Sequence, residues 1–425
     1  AREGEGWVAV KVRHPGVERQ LLTDFALLKG LGDMLHAVPA LQWLGLKESL
    51  KQFEHTLGVQ VRLDFEAANL ELFNANFRAC PHVTTMFPSV LSNCPTGRHH
   101  VSDDVLVESF EAGHSVSSYC AAAAAQAVAA ASRASRLALE TASHADSSLV
   151  RRVSSRLKQA ADDAQIVLRT AVEDESWAAL EGRSQGVVPL SKAAARHVVQ
   201  TGKETYLQML LVDNFVHADM HPGNIIVRLT PGAPLPTLVL IDAGMVDVMG
   251  PLEQDNFIGL LKAMGDGNGE KAAACLLKFS ETQDAADVEG FTRHIKLLFA
   301  KKCRGFGTGV DVGDVLQGIL DALRRFRVRV DGNYATSVVN LLCIEGVAAA
   351  LDPSYNLLDE SETLLFAHTV LGRDWLAWCM AVAAPLLAVG RNLKVAIEES
   401  ASRGSTKQLL RTRDSWQSKA ESFRD

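Results

Sequence analysis

His217-Ala218-Asp219-Met220-His221-Pro222-Gly223-Asn224, followed later by Ile241-Asp242-Ala243-Gly244, is the part of this 425-residue chain from which its fold and chemistry are read. Asn224-Ile225-Ile226-Val227 and Leu238-Val239-Leu240-Ile241 are apolar, β-branched runs, so a loop, a strand pair and a second loop follow one another. Phosphoryl transfer needs this order. One carboxylate (Asp219) orients the accepting hydroxyl, then an amide oxygen (Asn224) and a second carboxylate (Asp242) hold Mg²⁺ on the phosphates. Asp and Asn are also turn residues, Pro222-Gly223 is a turn dipeptide, and Asp242-Ala243-Gly244 could simply end a strand. The two halves together, in the right order, favour a site over a set of turns.

A second chemistry shares the segment. His217, Asp219 and His221 alternate, and side chains two apart on a strand point to one face, so a zinc or iron hydrolase site is conceivable. Pro222-Gly223 breaks such a strand at once, and no further His/Cys cluster follows at ligand spacing. Tightly held stoichiometric zinc in purified protein would favour that alternative.

With 47% hydrophobic and 22% charged residues, the chain can bury a substantial core. The net charge of -7, without a basic stripe carrying interleaved aromatics, argues against a nucleic-acid partner. Cys80, Cys94, Cys120, Cys275, Cys303, Cys343 and Cys379 are scattered, odd in number and contain no Cys-x-x-Cys pair, which fits a reducing compartment rather than a disulfide framework. The first residues lack an initiator Met and a targeting segment and run straight into a strand, as expected of an N-terminally truncated sequence.

Upstream, Trp7-Val8-Ala9-Val10-Lys11-Val12 reads as a strand carrying one lysine, closed by the turn His14-Pro15-Gly16. Two helices are expected between Val17 and Pro81. In the second, Leu57, Val61, Leu70, Phe73 and Phe77 form one stripe that includes Glu66. A carboxylate on a buried face needs a cationic partner, and Lys11 is the candidate. Val105 to Phe110 reads as a further strand, a connector in which backbone groups of Glu108 to Phe110 would meet the adenine edge. From Ala121 to about Gly186 the chain is rich in Ala, Ser and Arg, and a loose helical or disordered insertion is expected. Helical patterning resumes at Ser191. Beyond Asp242, helices are expected over Leu252–Met264, Gly269–Phe279, Val288–Phe299, Val312–Phe326 and Tyr334–Leu351. Trp375 to Gly390 is nearly all apolar, but its sixteen residues include Pro385, so a buried or membrane-surface helix is expected rather than a spanning one.

These segments together resemble the UbiB-type, aarF-domain atypical kinase family, which is similar in core fold to protein kinases and associated with ubiquinone biosynthesis. The carrying segments are Val8–Val12 with His14-Pro15-Gly16, Phe65-Glu66-Ala67-Ala68-Asn69, Val216 to Asn224 and Ile241–Gly244, with Ile344-Glu345-Gly346-Val347 and Leu351-Asp352-Pro353 behind them. Phosphotransferases acting on aminoglycosides and choline share a similar loop; the separation of Lys11 from Glu66, filled by extra helices, points to this family instead. Val212-Asp213-Asn214-Phe215-Val216-His217 is similar to the second human-type aarF-domain kinase subgroup, which is mitochondrial. The resemblance implies an α+β, bilobal protein-kinase-like fold with a small N-lobe sheet, extra helices and a mainly helical C-lobe. Residues 1–113 would form a partial N-lobe, 114–190 an Ala-rich insertion, 191–358 the C-lobe, and 359–425 a C-terminal helical extension.

By the same resemblance, Lys11 and Glu66 are the nucleotide-positioning pair, Asp219 the catalytic carboxylate, and Asn224 and Asp242 the metal ligands, with ATP and Mg²⁺ as cofactors. The place expected is the mitochondrial inner membrane surface, or a plastid, with a lipid or quinone intermediate and proteins of a biosynthetic complex as further partners. Two departures stand out. Gln60-Val61-Arg62 replaces the family's acidic Glu-x-Asp signature. The family's Lys-x-Gly-Gln helix and alanine-rich nucleotide loop would precede Trp7, so weak nucleotide binding by this chain is expected. Two functions follow: an ATP-dependent phosphotransferase or ATPase serving quinone or lipid metabolism, or a catalytically weak nucleotide- and lipid-binding scaffold.

Overall fold

The computed structural model describes residues 2–3, 6–36, 58, 61–78, 80, 83–91, 101–141, 186–280, 287–373 and 375–376. In chain order the elements are β1 (Arg2–Glu3), β2 (Gly6–Val12), α1 (Val17–His36), α2 (Leu63–Arg78), β3 (Thr85–Met86), β4 (Val105–Ser109), β5 (His114–Ser115) and α3 (Val116–Thr141). Then come α4 (Lys192–Gln208), running into a π-helical turn (Met209–Asp213), β6 (Val216–His217), β7 (Ile225–Arg228), β8 (Thr237–Leu240) and β9 (Val246–Asp247). Five helices follow, α5 (Pro251–Gly265), α6 (Gly269–Leu276), α7 (Val288–Lys302), α8 (Val312–Phe326) and α9 (Gly332–Leu351), and after them a 3₁₀ turn (Asp359–Ser361) that leads into helical residues 362–373. Small sheets followed by a helical half make this the α+β, kinase-like architecture expected from the sequence.

Two sheets frame a cleft. The first has the order β1-β2-β4, all antiparallel, with Lys11 opposite Leu106 and Ala9 opposite Glu108. The second has the order β3-β8-β7-β5: the hairpin β7–β8 from the second half of the chain takes β3 and β5 from the first half on its two edges. β6 and β9 form a separate two-stranded antiparallel ladder that flanks the hairpin in sequence.

α2 explains how the first sheet is tied to the rest. Asp64 and Glu66 lie in its first turn and Arg78 in its last, charges that suit the helix dipole. One face buries Glu66, Ala67, Leu70, Phe73 and Phe77. Phe73 stacks on Phe87 with ring centroids 4.7 Å apart and meets Phe215, just before β6, at the same distance. The helix therefore spans from the first sheet to the loop-bearing half through aromatic contacts.

The helical half forms where its apolar periodicity predicts. α8 coincides with the expected Val312–Phe326, and Ser191 caps α4 by accepting from the Ala194 N–H. The two-residue strands went unforeseen because two residues are too few to show an alternation. At the start of the alanine-rich region, α3 buries Val116, Tyr119, Cys120, Ala121 and Ala122 and continues as a helix to Thr141. Residues 142–185, most of the expected insertion, lie outside the described residues, as do Leu57, Gln60, Cys94, Cys379 and the expected apolar helix from residue 377 onward.

Candidate functional site

The segment from Val216 to Gly244 builds the floor of the cleft. The π-helical turn after α4 ends at Asn214, whose left-handed conformation (φ 48°) and side-chain bond to Met249 O turn the chain into β6. The loop after β6 carries Asp219 and returns through Pro222-Gly223 into β7. Asn224 Nδ2 donates to Asp219 Oδ2 at 2.6 Å, so these two side chains are locked together. That bond leaves the Asn224 amide oxygen as the group able to act as a ligand. After the hairpin, Asp242 also adopts a left-handed conformation (φ 64°), and its carboxylate accepts from the Gly244 N–H at 3.4 Å. A strained non-glycine residue at a loop tip must be held by its surroundings.

His217 lies close enough to both acids to feel their charges. It is fully buried, its Nδ1 accepts the Asp219 N–H at 3.2 Å, and the proton therefore belongs on Nε2. Burial lowers its pKa against the pull of the Asp219 and Asp242 charges and of the Ile241 and Asp242 carbonyls, which keeps the ring neutral. His221 Nδ1 accepts the Gly223 N–H at 3.1 Å. Both histidines thus brace loop backbone, and among the described residues no group of three His, Cys, Asp or Glu could hold a metal. The donor set does not suit zinc or iron. It suits a hard cation held by one carboxylate, one amide and a substrate's phosphates.

The roof comes from β2, β4 and α2. Lys11 Nζ forms an ion pair with Glu66 Oε1 and lies 3.5 Å from Glu108 Oε1. A Cβ placed on Gly244 would sit 3.4 Å from Asp242 Oδ1 and 4.0 Å from Glu66 Oε2, so roof and floor carboxylates approach across that glycine. Asn69 Nδ2 donates to Ala243 O at 2.8 Å and pins α2 to the Asp242 loop. Lys11, Glu66, Asp219, Asn224 and Asp242 are thereby brought to one cleft.

Three carboxylates, Glu66, Glu108 and Asp242, act on the single ammonium of Lys11. Burial would lower the pKa of Lys11, but Glu66 and Glu108 outweigh it and the net shift is upward. Burial raises Glu66 and Glu108, and one lysine shared between them does not offset it. Glu108 Oε2 is buried without a hydrogen-bond partner. This surplus of negative charge is an observation in favour of a further cation at the cleft.

In the stretch Glu108 to Phe110, whose backbone groups were expected to meet an adenine, the Glu108 side chain turns inward onto Lys11. Its strand position is bridged by Val90 on one edge and Ala9 on the other, and the Ser109 N–H donates to Ser89 O at 2.9 Å. The ladder therefore already uses backbone groups of Glu108 and Ser109, while Phe110, just beyond the strand, is 55% exposed. Nearby, Arg62 of the altered Gln60-Val61-Arg62 segment is bound to Asp64 at 2.6 Å.

Residues 1–145 and 186–276, more than half of the chain, match the family model described as ABC1 atypical kinase-like domain. The chain is similar to a mitochondrial ABC1 family protein of Saccharomyces cerevisiae, 26% identical over 86% of this chain and 51% of that protein. It is similar to the probable serine/threonine-protein kinase abkC of Dictyostelium discoideum, 24% identical over 86% of this chain and 52% of the relative. A shorter match, 27% identical over 40% of this chain and 31% of the relative, is to the probable protein kinase UbiB of Pseudomonas fluorescens. The chain spans about half the length of the two longer relatives.

Proposed function

The chain belongs to the ABC1 atypical kinase-like family, and on that basis we propose that it supports magnesium-dependent phosphoryl transfer from ATP, to a hydroxyl acceptor or to water, in the service of quinone or lipid metabolism in mitochondria. The observation that carries this reading is the convergence of Lys11, Glu66, Asp219, Asn224 and Asp242 on one cleft. Lys11, held by Glu66, contacts the nucleotide phosphates. Asp219, fixed by Asn224, accepts a hydrogen bond from the acceptor's hydroxyl and aligns its oxygen. Asn224 and Asp242 would hold Mg²⁺, which when bound neutralises charge on the phosphates. Neutral His217 holds the Asp219 N–H and so sets the backbone from which that carboxylate projects.

The mitochondrial setting rests on the name of the yeast relative, and the quinone or lipid pathway on the resemblance to UbiB-type proteins. A membrane surface and a biosynthetic complex are the partners that fit this reading. The scaffold alternative draws on the altered Gln60-Val61-Arg62 segment, whose Arg62 is bound to Asp64; it predicts stabilisation by MgATP without turnover.

The test is MgATP turnover by the full chain beside Asp219→Asn and Asp242→Asn. Both substitutions are expected to lower kcat by roughly 10²- to 10³-fold. Full activity in both variants would refute the assignment, whereas MgATP stabilisation with no turnover in the parent chain would select the scaffold.

A further inference from the structure

The loop that carries Asp219 is gripped from behind by a residue that the reaction chemistry does not call for. Asn340 lies near the middle of α9 and is 1% exposed. Its Nδ2 donates to His217 O at 3.0 Å and its Oδ1 accepts the Met220 N–H at 3.1 Å. These two backbone groups bracket Ala218 and Asp219, so one side-chain amide closes the short arc from which the carboxylate projects.

Only a group that donates and accepts at once satisfies both partners. A carboxylate would face the His217 carbonyl with a second oxygen, and an aliphatic side chain would leave a buried N–H and a buried C=O unpaired. The grip is rigid because α9 is itself fixed. One turn before Asn340, Ser337 O accepts from the Tyr206 hydroxyl of α4 at 3.2 Å, and Tyr334 stacks on Phe279 with centroids 4.0 Å apart and planes 8° from parallel. α4 runs through the π-helical turn into the same loop. The loop and its clamp thus hang from one scaffold.

We propose that Asn340 is a positioning residue that sets the orientation of Asp219 through the His217 carbonyl and the Met220 N–H. The inference rests on the phosphotransfer reading for its catalytic consequence, but the clamp has a readout of its own. α9 is long and apolar enough by composition to cross a bilayer. A buried asparagine whose amide is satisfied by a loop of the same chain is what a core helix needs instead.

The experiment compares the full chain with Asn340→Leu, Asn340→Asp and Val338→Ala, the last a core substitution in the same helix that bonds no loop backbone. For Asn340→Leu, kcat for MgATP is expected to fall roughly 10- to 100-fold, since an error of about 1 Å in a reacting group suffices. KM for MgATP should stay within about twofold. Hydrogen exchange of the Met220 amide should speed up. Val338→Ala should lower the thermal midpoint yet change neither kcat nor that exchange rate. Should Asn340→Leu fail to fold, Asn340→Asp carries the same expectations. Unchanged kcat per folded molecule, or unchanged Met220 exchange, overturns the proposal. A parent chain with no turnover refutes the phosphotransfer reading and with it the catalytic half of this one, while Met220 exchange still decides whether Asn340 holds the loop.

Discussion

At the scale of single residues, the cleft is organised by charge imbalance. Lys11 is 30% exposed, whereas the carboxylates it serves, Glu66 and Glu108, are 6% and 4% exposed in their side chains. Removing the ammonium by Lys11→Met strands both acids in low dielectric. Urea unfolding should show a loss of about 1–3 kcal/mol, discounted for the partial exposure of Lys11, and adding Glu66→Gln should recover part of it. A double variant as unstable as the sum of its parts would mean that the two side chains do not depend on each other. The Lys11–Glu66 partnership could be argued from residue types, because a carboxylate at a buried helix position requires a cation. The inward turn of Glu108 could not. A strand's alternation assigns a residue to a face, but which face meets the lysine depends on the register with β2. Asn340 did leave a signal, an amide set between the apolar runs Val338-Val339 and Leu341-Leu342 of Gly332–Leu351, but its partners lie 120 and 123 positions away in the chain.

At the scale of elements, α9 supplies more than the clamp. One turn beyond Asn340, Glu345 approaches the first turn of α8, where Asp311 caps the helix. Burial, reinforced by Asp311, raises its pKa from 4.5 to about 7, and its Oε2 has no hydrogen-bond partner. Between these two values the folded chain retains a proton that the unfolded chain has released. Stability therefore falls as pH rises from about 4.5 to 7 and levels off above that. Glu345→Gln should flatten this segment and leave the protein more stable than the parent at pH 8, by on the order of 2 kcal/mol. Urea midpoints measured from pH 5 to pH 8 decide it, and parallel curves for the two proteins would contradict the burial argument. The helices were legible because each repeats its apolar residues every three to four positions. The short strands β3, β5, β6 and β9 were not, since the partner across the ladder makes such a strand.

At the scale of the whole molecule, the hairpin β7–β8 is completed by strands from the other half of the chain. Thr85 pairs with Leu238 and His114 with Val227, while Ser117 N donates to Pro222 O at 3.1 Å. A fragment starting at Val187 would keep all of Val216 to Gly244 yet lose both hairpin neighbours and the Phe73–Phe215 contact. It should show no cooperative unfolding transition by circular dichroism in urea. A sharp two-state transition would show that the loop-bearing half folds alone. The amino-acid sequence was enough to determine the α+β class, the helical half, the family and the candidate residues in their order, because periodicity and turn chemistry act over a few positions of chain. Tertiary structure alone decided that Glu108 faces Lys11, that Asn69 holds the Asp242 loop, and that Asn340 grips the backbone around Asp219. Those contacts join positions tens to hundreds of residues apart, and they exist only once packing of the core has brought their backbones within hydrogen-bonding distance.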